Sequence, residues 1–159
     1  MLALSDLGDG YRVNPGLTVA RTLADVSQGD SVAVRKELRR SWLAGAEHAF
    51  NGVSVQWGVV SLADVFRTSA RMKLILRAWQ DDAVRISKGK LQPVPRAAPG
   101  ADGALVRGHL LNYELLIYMW RRGRTISAVD VTGTPGSVPL SLVIKLARVQ
   151  DARAAAAGA

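Results

Sequence analysis

The chain has no cysteine among its 159 residues. This absence excludes a disulfide framework, a zinc–thiolate or iron–sulfur site, and a thiol nucleophile. Only two histidines occur, His48 and His109, and neither has a spacing that suits metal binding or a nucleophile–base pair. We therefore expect neither a metal site nor a cofactor.

Long apolar runs are also missing. The longest strongly apolar stretch, 115–120, is far shorter than the roughly 20 residues that a membrane-spanning helix needs. The segment 1–4 reaches Asp6 and Asp9 with no basic residues and no long apolar core, which is not the pattern of a secretory signal. We expect a protein that is either cytosolic or begins after a removed leader, in which case it is extracytoplasmic or at the cell envelope.

Common catalytic patterns do not occur either. The elbow Gly-x-Ser-x-Gly is absent, and so is the phosphate-binding run Gly-x-x-x-x-Gly-Lys-Ser/Thr. The 13 carboxylates are scattered through predicted caps and turns rather than paired across a cleft. Asp130 is the one that burial could perturb, and we expect it to face outward or to pair with an arginine rather than act as a general base. These absences favour a non-enzymatic protein.

Basic residues outnumber acidic ones by 21 to 13, which gives a net charge of +8. Such a balance favours anionic partners: nucleic acid, a lipid surface or an acidic polymer. Arginine outnumbers lysine by 16 to 5, a bias that a GC-rich genome produces without selection for binding. Both interpretations of the charge stay open at this level.

Periodic patterns in the first half predict alternating strands and helices. Alternation of apolar residues predicts strands over 17–24 and 53–60. Asp30 or Ser31 can cap a helix that runs to about residue 46. A second, long helix is predicted to follow the capping-box pattern of 61–64 and to place its apolar stripe, including Met72 and Trp79, across a sheet. That pair favours a core, with a ligand pocket as the alternative.

In the second half, periodicity stops between residues 87 and 103, where prolines and glycines interrupt any regular element. Loops of this length are often functional or disordered, so this segment is a candidate lid or partner-binding loop, with plain mobility as the alternative. Its basic residues are Lys88, Lys90 and Arg96. A strand over 113–120, a tight hairpin over 121–124, a return strand over 126–131 and a final helix beginning near Ser137 and Pro139 are predicted to follow.

Two basic segments are candidate anion-binding sites. On the first helix, we expect a solvated surface, with an anion-binding face as the alternative; in the hairpin, a phosphate contact is possible. All four tryptophans fall at predicted core positions rather than among the basic residues, which does not favour base stacking on nucleic acid. The candidates are Arg35, Lys36, Arg39 and Arg40 on the helix and Arg121, Arg122 and Arg124 in the hairpin.

The C-terminal third resembles a known group of proteins. The strand ending at 120–124, the return strand reaching 131–133 and the helix over 146–153 are similar to the end of small exported or lipid-anchored actinobacterial domains of unknown function. The passage 59–66 is similar to the middle of that pattern. The resemblance implies a PsbP-like fold, in which helices flank an antiparallel sheet in an α/β/α sandwich, and it implies no catalytic residues.

Taken together, these patterns predict one α+β domain over 1–153, with a largely antiparallel sheet flanked by about three helices, and an alanine-rich tail over 154–159. The expected function is a non-enzymatic binding or interaction module, acting at an anionic cell envelope. One alternative is nucleic-acid binding through residues 35–40 and 121–124. Another is a small ligand carrier or enzyme with a pocket between the long helix and the sheet, gated by 88–103.

Overall fold

A computed structural model describes residues 1–53 and 55–158. Within these residues, one large sheet of eight strands is accompanied by four α-helices and two short 3₁₀ helices, Leu4–Asp6 and Pro15–Leu17. The strands are β1 (Tyr11–Val13), β2 (Val19–Arg21), β3 (Trp42–Gly52), β4 (Trp57–Phe66), β5 (Lys90–Gln92), β6 (Ala101–Leu110), β7 (Tyr113–Arg122) and β8 (Thr125–Gly133). The helices are α1 (Leu23–Val26), α2 (Val32–Ser41), α3 (Met72–Ile86) and α4 (Leu140–Ala156).

Every strand pair in the sheet is antiparallel. The strand order is β1-β3-β4-β8-β7-β6-β5, and β2 pairs with another part of β3. The central strands β8 and β7 therefore carry neighbours on both sides along their whole length. Strand β7 is mostly apolar on both faces, as expected of a strand covered on both sides, whereas β8 also carries Ser127, Asp130 and Thr132.

The two faces of the sheet pack against different helices. Successive strand residues point to opposite faces, so Tyr118 and Trp120 join a core beneath α4, whereas Ile117 and Met119 join a second core beneath α3. Helices α1 and α2 add Val26 and other residues to the second core. The sheet is thus a middle layer between α4 on one side and α1–α3 on the other.

The expected fold class is confirmed as α+β with an antiparallel sheet, although four helices replace the expected three or so. The predicted strand over 113–120, the turn at Gly123 and the return strand are present as β7 and β8. The final helix begins directly after Pro139 and continues through residues 154–156, which the sequence analysis assigned to the tail. In the described residues, no helix is both long and apolar enough to cross a bilayer.

Two predicted helix boundaries are wrong. Helix α2 begins after Ser31, as predicted, but ends at Ser41 rather than near residue 46, because 42–52 pairs with β4 instead. The predicted capping box at 61–64 lies inside β4. The Ser61 hydroxyl accepts the Leu2 N–H at 3.0 Å and donates to Gln150 at 2.7 Å, so it serves long-range contacts rather than a helix start.

The remaining differences concern the short elements before α2, the start of β4, and the strands β5 and β6. The predicted strand over 17–24 is divided into a 3₁₀ turn, β2 and α1, and the strand predicted over 53–60 begins at Trp57. The segment 87–103 contains β5 and the start of β6, two elements that the sequence analysis did not predict. Edge strands of three residues carry too little periodicity to be recognised from sequence alone.

Candidate functional site

A cleft of about 380 Å³ lies between α3, the segment containing α1, and the face of the sheet that these helices only partly cover. Its floor is formed by β4, β7 and β8, with aliphatic residues predominating. Its walls carry Trp79 from α3 and polar residues from the 21–30 segment. The lining residues are Arg21, Asp25, Val26, Gln28, Asp30, Glu47, Val60, Leu62, Trp79, Asp82, Ile117, Met119, Ile126, Ala128 and Asp130.

Asp130 lies on the middle strand of this floor. It lies on β8 directly between Val60 of β4 and Ile117 of β7, so its neighbours across both strand pairs are aliphatic. The Thr132 hydroxyl donates a hydrogen bond to its Oδ1 at 3.3 Å. Among the described residues, no cation lies within ion-pair distance of this carboxylate.

The surroundings of Asp130 favour its protonated form. Burial raises the pKa of its carboxyl to about 7, and the nearby charge of Glu47 acts in the same direction against the Thr132 hydrogen bond. The expected pairing of Asp130 with an arginine is not found among the described residues, and its side chain is partly exposed, in the cleft. A carboxylate at this position costs stability whenever it ionises, and a bound cation would remove that cost.

A second buried carboxylate, Asp64, is satisfied within the protein. It forms an ion pair with Arg21 and accepts a hydrogen bond from Trp42 Nε1 at 2.9 Å. Burial nevertheless raises its pKa to about 6, against the effect of Arg21. Gly45 lies opposite Asp64 on β3 and makes this arrangement possible, because a Cβ there would overlap the carboxylate.

Trp79 forms part of the cleft wall and is held from several sides. The guanidinium of Arg21 lies 5.9 Å from the centre of its ring, and the ring of Phe66 lies 6.4 Å away. Its Nε1 donates to Asp30 at 3.4 Å. Met72, its predicted partner in lining a pocket, is instead fully buried in the core beneath α3. Of the two residues predicted to line a pocket, only Trp79 lines the cleft.

The charge of the cleft is opposite to that of the whole protein. Five carboxylates line it against one guanidinium; that guanidinium pairs with Asp64, and one of the five carboxylates, Asp82, pairs with Arg85, which does not line the cleft. Burial raises the pKa of Asp30, and the charge of Asp82 contributes to this rise. Hydrogen bonds from Thr22 lower the pKa of Asp25, at the cleft rim. The cleft is thus an acidic, partly apolar site in a chain whose net charge is +8.

The basic helix face lies outside the cleft. All four predicted anion-binding residues of α2 are exposed, and they border a shallow groove of about 620 Å³ on its outer surface. The three arginines of the hairpin have three different partners. Arg121 pairs with Asp102, Arg122 pairs with Asp151, and Arg124 donates to the carbonyl of Arg67 at 3.4 Å.

Helix α2 and the hairpin meet at one end of the sheet. The Arg67 N–H donates to the Ser41 carbonyl at the end of α2, at 2.7 Å, while Arg124 contacts the carbonyl of the same Arg67. Arg124 of the hairpin therefore lies beside the end of α2, through their shared contacts with Arg67, and we call this junction the basic end. The remaining predicted residues, Lys88, Lys90 and Arg96, are exposed and lie near the opposite edge of the sheet.

No described residue from 88–103 lines the cleft, so gating of the cleft by this segment is not retained. Sequence reasoning also missed Glu47 and Asp30 as members of a common site with Asp130. One signal was available: Asp130 is an acidic residue between apolar neighbours in a predicted strand. This signal indicates a common site only when the strands that pair with β8 are known.

Comparisons with known proteins identify the fold without a family. No protein-family model matches the chain, and no curated protein matches it. Among solved structures, the extracellular domain of PknH from Mycobacterium tuberculosis matches with a TM-score of 0.59 at 9% sequence identity. The match covers 96% of this chain and 93% of that domain. At this identity, the likeness establishes a shared fold only.

Proposed function

We propose that this chain is a non-enzymatic binding module whose ligand site is the cleft between α3 and the sheet. The observation that supports this proposal most directly is Asp130. This carboxylate lies on the aliphatic floor of the cleft and has no ion-pair partner among the described residues. Concave, mostly apolar sites with a few convergent polar groups are the usual form of small-ligand sites.

The charge of the cleft supports a cationic ligand. Five lining carboxylates repel anions and attract an ammonium or guanidinium group, and the walls exclude part of the surrounding water. The apolar floor suits an aliphatic or aromatic body attached to that group. The ring of Trp79 in the cleft wall already lies against a cation of the protein, the Arg21 guanidinium, so this wall is compatible with a cationic group. The ligand we infer is a small organic amine with an apolar body.

This proposal predicts a preference between two probes of similar shape and opposite charge. Hexylammonium should bind at least tenfold more tightly than hexanoate, because tenfold needs only about 1.4 kcal/mol, less than the ~4 kcal/mol between unit charges about 4 Å apart near a protein surface. Its affinity should rise as the pH increases through 7, since Asp130 must lose its proton to attract the cation. Titration calorimetry at pH 6 and pH 8, with amide NMR to locate the site at Trp79, provides the measurements.

A matched pair of variants tests the location. Ala128→Phe places a ring on the cleft floor and should remove binding, whereas Ala20→Phe makes the same change at an exposed position of β2 and should not. Equal affinities for the two probes would contradict the cationic ligand. Binding that survives Ala128→Phe would place the site elsewhere, and catalytic turnover of a bound amine would contradict a non-enzymatic role.

We further propose that the module acts outside the cytoplasm, at the cell envelope. The fold shared with the extracellular domain of PknH supports this placement, as does the similarity of the C-terminal third to exported actinobacterial domains with a PsbP-like fold. A leader upstream of Met1 in the gene would agree with export. Recovery of the protein from the cytoplasmic fraction of its native cell would contradict it.

Nucleic-acid or other anionic-polymer binding is a second candidate function. One observation favours it: α2 and the 121–124 hairpin, separate in sequence, meet at a common basic end through Arg67. Phosphate contacts by such a surface need no base recognition. The candidate anion-binding residues of α2 are exposed, which leaves them accessible to a polymer.

For this second function, we expect affinity for a short DNA duplex to fall linearly with salt on logarithmic axes. The double variant Arg39→Gln with Arg124→Gln should reduce the slope by about two, because each phosphate contact contributes about one. Arg148→Gln, on α4, serves as the control. Filter binding measures both slopes, and an absence of binding at low salt would remove this candidate.

A further inference from the structure

Exposed apolar side chains gather at the end of the sheet that carries the β6–β7 turn. Four of them are 44–60% exposed, and Leu111, at the tip of the turn, is 88% exposed. Leu110 pairs with Tyr113 at the turn, and the His109 N–H donates to the Ser87 carbonyl at 2.7 Å, which brings the end of α3 to the turn; Leu91 pairs with Val106, further along β6. We call this set the apolar tip; its residues are Ile86, Leu91, Leu110, Leu111 and Tyr113.

The backbone conformation at position 111 does not favour leucine. Its φ is +55°, in the left-handed region that a branched, bulky side chain avoids and that hairpin turns normally assign to glycine or asparagine. The residue therefore strains the turn while its side chain remains almost fully in water. Backbone strain of this kind concentrates at functional positions, and here the strained residue presents an apolar side chain outward.

The exposed lysines beside the apolar tip are without an acidic partner among the described residues. Arg85 pairs with Asp82 and Arg107 pairs with Glu114, the residue after Tyr113. Lys88 and Lys90 form no such ion pair and leave a positive charge at this surface. Lys88 and Lys90 are exposed and lie directly between Ile86 and Leu91 in the chain. This combination of exposed aliphatic residues, a tyrosine and flanking lysines is characteristic of surfaces that enter the headgroup region of an anionic bilayer.

We propose that the apolar tip is a membrane-contact surface that inserts Leu111 and its neighbours into an anionic lipid bilayer. Leu111 enters the acyl boundary, Tyr113 lies at headgroup depth, and Lys88 and Lys90 pair with lipid phosphates. Partial burial of several apolar side chains gives weak, reversible binding rather than permanent anchoring.

Co-sedimentation with vesicles tests this proposal. The intact protein should bind vesicles of phosphatidylglycerol and phosphatidylcholine, and bind much more weakly to phosphatidylcholine alone. Leu111→Asn should reduce binding about tenfold, since a buried leucine contributes about that much in partitioning. Asparagine tolerates positive φ, so the melting temperature of this variant should not fall. Replacing Lys88 or Lys90 with glutamine should reduce binding about fivefold in each case.

Leu17→Asn is the matched control, because Leu17 is 52% exposed beside β3, on the opposite side of the sheet. The absence of native cysteine also permits a single fluorophore at Leu111→Cys or Leu17→Cys. Its emission should shift to the blue on vesicle addition only at position 111.

Three results would overturn the proposal. The first is an absence of binding to the anionic vesicles at low salt. The second is unchanged binding by Leu111→Asn, which would indicate attachment through the basic end. The third is a dimer in sedimentation equilibrium that Leu111→Asn dissociates, which would make a second copy of the chain the occupant of the apolar tip.

Discussion

Asp130→Asn is expected to stabilise the protein by roughly 2–4 kcal/mol at pH 8 while removing its affinity for hexylammonium. In the unfolded chain this carboxyl ionises near its ordinary pKa of 3.8, but in the folded chain it retains its proton until about pH 7. Between these values the native state binds more protons than the unfolded state. Stability therefore falls as the pH rises through this window and levels off above it.

Asparagine does not titrate, so the advantage of the variant should be small near pH 4 and complete at pH 8. Urea denaturation at both pH values measures this difference. Asp102→Asn provides a control of opposite sign, because Arg121 and Lys73 lower the pKa of that carboxyl. A loss of stability in Asp130→Asn at pH 8 would show that the native carboxylate is internally compensated and would remove the main argument for a cationic ligand.

A simultaneous gain in stability and loss of binding is the pattern expected of a functional residue. Proteins retain unfavourable groups where binding requires them, and replacing those groups commonly stabilises the fold. Asp64 provides a useful comparison within the same sheet. Asp64 is fully buried, whereas Asp130 is partly exposed to the cleft, and Asp64 pairs with Arg21 and accepts from Trp42, so its charge has a structural partner.

Asp151→Ala is expected to cause the largest loss of stability, roughly 2–4 kcal/mol. Asp151 is buried on α4 and accepts hydrogen bonds from Trp120 Nε1 at 2.9 Å and from Arg122 Nε at 2.6 Å. Its removal leaves the indole N–H of a fully buried tryptophan without its partner. Part of the effect is recovered because Arg122 can reach solvent. Equilibrium urea denaturation at pH 7 measures the change.

The ion pair of Arg121 with Asp102, next to Arg122 in the chain, provides the control for Asp151→Ala. Arg121 pairs with Asp102 near the surface, and Asp102→Asn, which keeps a residue that tolerates the positive φ of 54° at this position, should cost less than about 1 kcal/mol. The loss of stability in Asp151→Asn should lie between those of Asp151→Ala and Asp102→Asn, since its amide oxygen still accepts from Trp120. Equal losses for Asp151→Ala and Asp102→Asn would mean that α4 is held by its apolar contacts alone.

The C-terminal half of the fold was the most accessible from sequence. Apolar residues on both faces of 113–120, Gly123 in a tight turn and a helix after Pro139 are local signals, and each requires only neighbouring residues to be interpreted. The first half was less accessible. Residues 42–46 have reasonable helix propensity, yet they form β3 because pairing with β4 satisfies their backbone and buries the strand.

The candidate site was only partly predictable. A pocket between the long helix and the sheet was one of the alternatives, and the basic segments were identified individually. The acidic character of the cleft was not anticipated, since its carboxylates come from α1, β3, α3, β8 and the segment before α2. In sequence, Glu47 and Asp130 are separated by more than half of the chain.

Composition and local pattern by themselves determined that this chain has one type of architecture, an antiparallel sheet with helices, and that cysteine chemistry is excluded. Tertiary structure decided where charge accumulates. It placed acidic residues together in the cleft, basic residues at one end and exposed apolar residues at the other. The physical reason is that periodicity reflects burial, which neighbouring residues share, whereas electrostatic potential and ligand geometry depend on distances between residues that only strand pairing brings close.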